Sequence, residues 1–268
     1  MGENDQRLSK NRLLVPRERR RLIVEMIRKA GSVTVTELEM EFGISPMTAR
    51  RDLAHLETNG QVERSHGGAV LPGFAGHEDS FQQRLGEAVQ LKERLARAAV
   101  SLLDTREAVF IDSSTTAYYA ARRVLDKGIR VTLLTNLVPM MELFSIREAP
   151  SVKLVGFGGE LRQLTLSFVG PQTTQAIRVH FADKAFISVK GVTSEGYLTD
   201  PDPLEAEVKQ AMVKRSREPI LLVDGSKFEQ RGLHAIGHIT EFARVLAADV
   251  PSARLEILVE EGVDVMRV

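Results

Sequence analysis

The sequence predicts an α/β protein in two units. A small N-terminal unit has three short helices and a β-wing, and a larger unit is built on a mainly parallel sheet. Three observations predict this. Helix caps and glycine stops bracket short amphipathic segments before residue 70. From about residue 81, short and wholly apolar runs alternate with helical segments, the pattern of strands covered on both faces. Between the two, Pro72, Gly73 and Gly76 break all periodicity. The expected organisation is an arm over residues 1–16, the small unit over 17–72, a linker over 73–80 and the large unit over 81–268.

Residues 17–29 read as the first helix, with Leu22, Ile23, Met26 and Ile27 on one face and Gly31 past the end. Thr36-Glu37-Leu38-Glu39 has capping-box spacing for a second helix that stops at Phe42-Gly43. Ser45 suits the N-cap of a third, and Pro46 its first position, where a missing N–H costs nothing. Two short helices separated by Gly43-Ile44 make a helix-turn-helix. Leu53 and Leu56 turn its last helix toward the core and leave Met47, Thr48, Arg50 and Arg51 in the turns that reach base edges and phosphates of a major groove. After Asn59-Gly60, residues 61–70 read as a wing that brings Arg64 and His66 near phosphate. Double-stranded DNA is the expected partner, contacted by Thr36, Ser45, Met47, Thr48, Arg50, Arg51, Arg64 and His66. A solvated helix face is the plain alternative for the arginine pair; cap, turn, basic pair and wing in this order favour DNA.

Composition agrees once it is divided. The 268 residues carry 36 basic and 36 acidic side chains. Residues 1–30 nevertheless hold nine Lys/Arg against four Asp/Glu, whereas residues 74–268 are net −2. The basic segment is expected to meet phosphate. Cysteine is absent, which excludes disulfides and Cys-based zinc sites. No apolar run nears the roughly 20 residues of a membrane span, and residues 1–10 lack the apolar core of a signal peptide. A cytoplasmic protein with no membrane partner is expected. The six histidines are scattered, His234 and His238 falling in a glycine-broken, non-helical stretch, so neither metal nor other cofactor is expected.

Residues 17–70 resemble the winged helix-turn-helix of the DeoR family of bacterial transcriptional regulators. The matching residues are Val35-Thr36-Glu37-Leu38, Phe42-Gly43-Ile44-Ser45, Thr48-Ala49-Arg50-Arg51-Asp52-Leu53, Leu56-Glu57, Gly60 and Arg64-Ser65-His66-Gly67-Gly68-Ala69.

In the large unit, strands are expected at 109–111, 131–134, 152–155, 185–189, 220–223 and 243–247, with helices at 90–103, 116–125, 138–144 and 203–215. Sheets of this kind bind ligands at the carboxyl ends of strands. Five strand ends carry polar residues or glycine: Asp112-Ser113-Ser114-Thr115-Thr116, Thr135-Asn136, Gly156-Phe157-Gly158-Gly159, Lys190-Gly191 and Asp224-Gly225-Ser226-Lys227. Hydroxyls leading into a helix N-terminus form a phosphate cradle. Gly158 and Gly159 admit close backbone approach, and the compact ammonium of Lys227 suits a phosphate oxygen. The five ends are expected to converge on one rim that takes a small, anionic, hydroxylated ligand.

These residues also resemble the DeoR effector domain, which is similar to sugar-phosphate isomerases of the ribose-5-phosphate isomerase type. The matches are Asp112 to Thr116, Thr135-Asn136, Gly158-Gly159-Glu160-Leu161, Asp183-Lys184-Ala185-Phe186, and Asp224 with Lys227-Phe228. The resemblance implies a sugar-phosphate effector, with Ser113, Ser114, Thr115 and Thr116 on the phosphate and Asn136, Asp224 and Lys227 on hydroxyls or phosphate. Asp112, Gly158, Gly159 and Lys190 complete the candidate set. Ser114 stands where the family usually has glycine, Lys190 adds a charge, and Ala247-Ala248-Asp249 replaces the common Thr-Asp ending.

The expectation is a repressor of a carbohydrate-metabolism operon, a homodimer or homotetramer whose paired heads read two half-sites under control of a sugar phosphate. The alternative is a sugar-phosphate isomerase with an accessory DNA-binding unit, which needs a carboxylate base. The run Ser188-Val189-Lys190-Gly191-Val192 offers none before Glu195, so binding without turnover is expected. A purely architectural DNA binder has no use for the large unit.

Overall fold

A computed structural model describes residues 15–30, 32–65, 68–70 and 78–268. The chain divides into two compact units between His77 and Glu78, inside the expected linker.

The small unit runs α1 (Pro16–Ala30), β1 (Ser32–Thr34), α2 (Val35–Phe42), α3 (Pro46–Thr58), β2 (Glu63–Ser65) and β3 (Gly68–Val70). Ile23, Val24 and Ile27 of α1 close a core with Leu38, Leu53, Leu56, Val62 and Ala69. The capping box of α2 lies two residues earlier than the spacing from Thr36 suggested. Thr34 Oγ1 accepts from Glu37 N at 3.2 Å, and the Glu37 carboxylate accepts from Thr34 N at 2.7 Å. Strand β1 keeps Thr34 extended, so the helix begins at Val35 and Thr36 lies exposed in its first turn. Gly43 ends α2 in the left-handed region (φ 61°). Ser45 caps α3 by accepting from Thr48 N at 3.3 Å, with Pro46 as expected. The wing is a three-stranded antiparallel sheet in the order β1-β3-β2. Only glycine fits at position 68, because a Cβ there would lie 2.0 Å from the Val33 carbonyl oxygen. The wing turn, with His66, the arm over 1–14 and residues 71–77 lie outside the described residues.

The large unit continues with α4 (Phe81–Gly86), α5 (Val89–Ser101), β4 (Ala108–Ile111), α6 (Thr115–Lys127), β5 (Val131–Thr135), α7 (Val138–Ile146), β6 (Val152–Gly156), β7 (Glu160–Arg162), β8 (Ser167–Val169) and α8 (Pro171–Arg178). It then forms β9 (Ala182–Ile187), β10 (Gly191–Val192), β11 (Tyr197–Asp200), α9 (Pro203–Lys214), β12 (Ser216–Asp224), β13 (His234–His238), β14 (Arg244–Ala248), α10 (Ser252–Glu260) and β15 (Val265–Arg267). Seven strands form a parallel sheet in the order β15-β14-β12-β9-β4-β5-β6. Successive side chains alternate between its faces. Val109, Ile111, Leu133, Phe186 and Leu222 pack with α5, α6 and α7. Phe110, Ala185, Ile187, Leu221 and Val245 pack with α8, α9 and α10. Strand β15, the hairpin β7–β8 and the antiparallel sheet β10-β11-β13 had no sequence signal, being two to five residues each. Among the described residues no helix is long and apolar enough to cross a membrane.

The strand order fixes where a ligand can enter. From β4 the chain moves outward to β5 and β6, then returns to β9 on the other side of β4 and proceeds to β12, β14 and β15. The connections therefore diverge between β4 and β9, opening a crevice at their carboxyl ends.

Candidate functional site

A cleft occupies that switch point. Its walls include Ser113, Ser114, Thr115 and Thr116 after β4, Ser188 and Lys190 after β9, and Asp224, Ser226 and Lys227 after β12. Three adjacent strands thus supply the rim. The ends of β5 and β6 do not, contrary to the expected convergence of five. The hairpin β7–β8 explains this: Phe168 N donates to Asn136 O at 2.9 Å, and Asn136 Nδ2 donates to Phe168 O at 2.8 Å. Asn136 is buried there and lines no part of the cleft. Gly158 and Gly159 also lie elsewhere, their backbone packed on α8; a Cβ on Gly159 would stand 2.1 Å from Thr173 Oγ1.

Asp112 lies beneath the cleft and acts as a brace. Its Oδ1 accepts from Ser114 N at 2.9 Å, and its Oδ2 accepts from Ser188 N at 2.9 Å, joining the ends of β4 and β9. Burial pushes its carboxyl above the usual range, against the pull of Lys209 and of these hydrogen bonds. Ser114 caps α6 through Ala117 N at 3.1 Å in ordinary extended geometry (φ −79°), so serine in place of glycine imposes no backbone distortion. Ser113 donates to Glu205 Oε2 at 2.6 Å. The cradle is consequently smaller than the four hydroxyls suggested. Thr115 and Thr116 keep hydroxyls and first-turn N–H groups for a ligand.

Helix α9 forms the floor. Glu205 and Lys209, one turn apart, are both buried among apolar neighbours. Ser167 Oγ donates to Glu205 Oε1 at 2.5 Å, and Lys209 Nζ donates to Asp200 Oδ2 at 2.6 Å, with Asp112 Oδ2 at 3.9 Å. Burial pulls the Lys209 ammonium pKa down, but Asp200, Asp112 and Glu205 outweigh it and hold it above the ordinary lysine range. Carboxylates do line the cleft, Asp200 and Glu205 among them, correcting the expectation drawn from the residues directly after β9. Both are engaged by neighbouring donors.

The remaining cations are less satisfied. Lys227 rides the turn Gly225–Phe228, which Asp224 caps through Ser226 N at 2.9 Å. A Cβ on Gly225 would lie 2.4 Å from the Asp249 carbonyl oxygen, so glycine lets this turn press against the end of β14. Burial lowers the Lys227 pKa; Asp224 opposes that, while Lys190, Arg84 and Lys209 add to it. Lys92 of α5 donates to the carbonyls of Arg84 and Glu87, and burial followed by Lys227 brings its pKa down to about 8. Arg84, Lys92 and Lys209 were not singled out from sequence. A charged residue on an amphipathic helix reads as solvent-facing; only the i, i+4 placement of Glu205 and Lys209 on the face that also carries Val208 and Met212 signals burial. Among the described residues no group of three histidines or carboxylates is placed to hold a metal ion.

On the small unit, Ala49, Asp52, Leu53 and Leu56 face inward while Met47 is exposed one helical turn before the exposed pair Arg50 and Arg51. Thr48 is half-buried, and Ser45 and Arg64 are exposed. Asp52 is fully buried and accepts from Arg19 Nε at 2.6 Å and Arg20 Nε at 2.7 Å. Arg21 pairs with Glu18 and Glu25. Three arginines counted in the basic N-terminal segment therefore hold α1 together or to α3, and the charge presented to phosphate is less than the composition implied.

Two family models match this chain: a DeoR-like helix-turn-helix domain over residues 19–73 and a DeoR C terminal sensor domain over residues 87–248. The chain is 33% identical over 228 residues to the HTH-type transcriptional regulator GlpR of Haloferax volcanii, covering 85% of this chain and 88% of that protein. It is 30% identical over 231 residues to the L-fucose operon activator of Escherichia coli (85% and 93% covered). It is 28% identical over 242 residues to the glycerol-3-phosphate regulon repressor of the same organism (90% and 94%). Among solved structures it is similar to ribose 5-phosphate isomerase A from Methanocaldococcus jannaschii, with 16% identity and a TM-score of 0.37 over 52% of this chain and 54% of that one.

Proposed function

The chain belongs to the DeoR family of transcriptional regulators, and on that premise we propose that it is a cytoplasmic repressor of carbohydrate-metabolism genes, released from its operator by a sugar phosphate bound at the β4/β9 switch point. The observation that carries this reading is the cleft itself. The free first turn of α6 and the half-buried Lys227 favour a phosphate, while Asp200 and Asp224 are acceptors for sugar hydroxyls. Asp112 contributes as the brace beneath, and Lys190 as a rim cation. Two heads on a homodimer or homotetramer read two half-sites, and the ligand acts through its different affinity for the free and operator-bound geometries.

Thermal unfolding of the full chain with a panel of sugar phosphates tests the ligand half. A ligand at 100 times its Kd adds about 2.7 kcal/mol, an easily read rise in Tm. No rise with any member at millimolar concentration contradicts the reading.

Binding is expected to depend on pH in one direction. An anion favours charged Lys92, whose free-state pKa is about 8, so binding takes up protons. Affinity is level from about pH 7 up to that pH and falls by up to tenfold per unit above it. Sugar phosphates are already dianionic there, leaving the lysines as the titrating groups. Calorimetry in two buffers of different ionisation heat checks the proton uptake.

For the DNA half, Arg50→Ala is expected to lower operator affinity by about 1–3 kcal/mol, the worth of one bidentate base contact, without changing Tm, since Arg50 is exposed. Fluorescence anisotropy at fixed salt measures it; unchanged affinity removes Arg50 from the interface. The isomerase alternative predicts exchange of the C2 proton of a sugar phosphate with solvent. None is expected, because Glu205 and Asp200 are engaged by Ser113, Ser167 and Lys209.

A further inference from the structure

The segment that directly follows residues 71–77 enters the wall of the cleft. Glu78 and Arg84 both line it. Phe81 anchors the segment, buried against Tyr118 at 5.7 Å between ring centres and donating its N–H to Leu164 O at 2.8 Å. Ser80 caps α4 in a reciprocal capping box with Gln83, so Arg84 is held in place by its own helix and by Lys92 on its carbonyl. Its guanidinium is incompletely met. Nε and Nη2 are buried without a hydrogen-bond partner, and Glu78 Oε1 stands 3.9 Å from Nη2. Glu78 is taken elsewhere: its Oε2 accepts from Arg162 Nη2 at 2.7 Å, and Arg162 also holds Asp202, the N-cap of α9.

Buried N–H donors without acceptors are unfavourable, and the planar fork of arginine fits two oxygens of a phosphate at once. Lys92 and Lys227 crowd the same space, adding positive potential to that of Arg84. Burial also holds the Glu78 carboxyl above its usual pKa, against the pull of Arg162 and, less strongly, of Arg84.

We propose that Arg84 is an anion contact of this cleft, and that a bound phosphate takes Nε and Nη2, the two guanidinium nitrogens without a hydrogen-bond partner. Occupancy then registers first on the residues next to the connection between the two units. This rests on the effector reading above and adds a residue and a direction to it. Arg84 binds; Glu78 is a positioning residue whose negative charge competes with the ligand.

Titration calorimetry of the full chain with inorganic phosphate, with hydrogen exchange over residues 78–87, tests it. Arg84→Gln is expected to weaken phosphate binding at least tenfold and Arg84→Lys to recover part of the loss. Glu78→Gln is expected to tighten binding severalfold, the opposite of what a merely structural role predicts. Phosphate should change exchange over 78–87 at least threefold in the wild type and leave it unchanged in Arg84→Gln. If Arg84→Gln binds phosphate like the wild type while Lys227→Ala does not, the cleft takes anions without Arg84 and this proposal alone falls. Weakened binding in Glu78→Gln also overturns it. A wild-type chain that binds no phosphate overturns it together with the effector reading.

Discussion

Asp52→Ala is expected to unfold the small unit near ambient temperature and abolish DNA binding, while the large unit melts unchanged. Asp52 is fully buried on α3, and both its oxygens accept from α1, from Arg19 and Arg20. Arg19 is itself buried, with 7% of its side chain exposed. Removing one partner of such a pair costs about 3–5 kcal/mol, because the remaining charge is left in a poorly solvating site. Whole domains are stable by only about 5–15 kcal/mol, and small ones bury the least surface to compensate. The ion pair also orients the exposed face of α3, since Ala49, Leu53 and Leu56 are apolar contacts with little directional preference. Calorimetric scanning of the full chain checks this; an unaltered low-temperature transition in Asp52→Ala would remove the pair from the stability of the unit.

Lys227→Ala is expected to abolish the response to ligand without destabilising the protein. Losing a hydrogen bond to a charged group costs about 1.5–3 kcal/mol of binding, roughly 10- to 150-fold in Kd. Stability should move the other way or not at all. Burial sets the folded pKa of Lys227 below its unfolded value, and Lys190, Arg84 and Lys209 repel its charge, although Asp224 offsets part. Below the unfolded pKa the unfolded chain holds that proton more readily, so the charged lysine opposes folding at neutral pH and its removal relieves that opposition. A structural lysine would show the reverse, a lowered Tm with ligand response retained. Thermal unfolding of the variant with and without the sugar phosphate that stabilises the wild type separates the two.

Local rules carried most of what was legible in the sequence. Ser45 and Pro46 start α3 because caps depend on a few neighbouring residues, and the apolar runs at 109–111 and 220–223 are strands because a covered parallel sheet leaves them no polar face. Local spacing points to Thr36 as the cap, but the strand ending at Thr34 is imposed by pairing with Gly68, a contact distant in sequence. Asn136, Gly158 and Gly159 were expected at the rim because polar strand ends resemble one another; whether an end is open depends on the hairpin β7–β8. Arg84, Lys92, Lys209 and Glu205 reach the cleft from three helices before and after the sheet residues they meet. No spacing along the chain encodes such a meeting.

The proposed function requires that ligand at the sheet switch point change the hold of the exposed α3 face on DNA. Its most direct test is the affinity of the full-length protein for the promoter DNA of its own gene neighbourhood at low fixed salt, without and with the sugar phosphate that raises its Tm most. Binding without ligand and an affinity at least fivefold weaker with it are expected, within the usual range of coupling between sites. Equal affinity in the presence of saturating, cleft-bound ligand, or no binding to any such fragment, would contradict it.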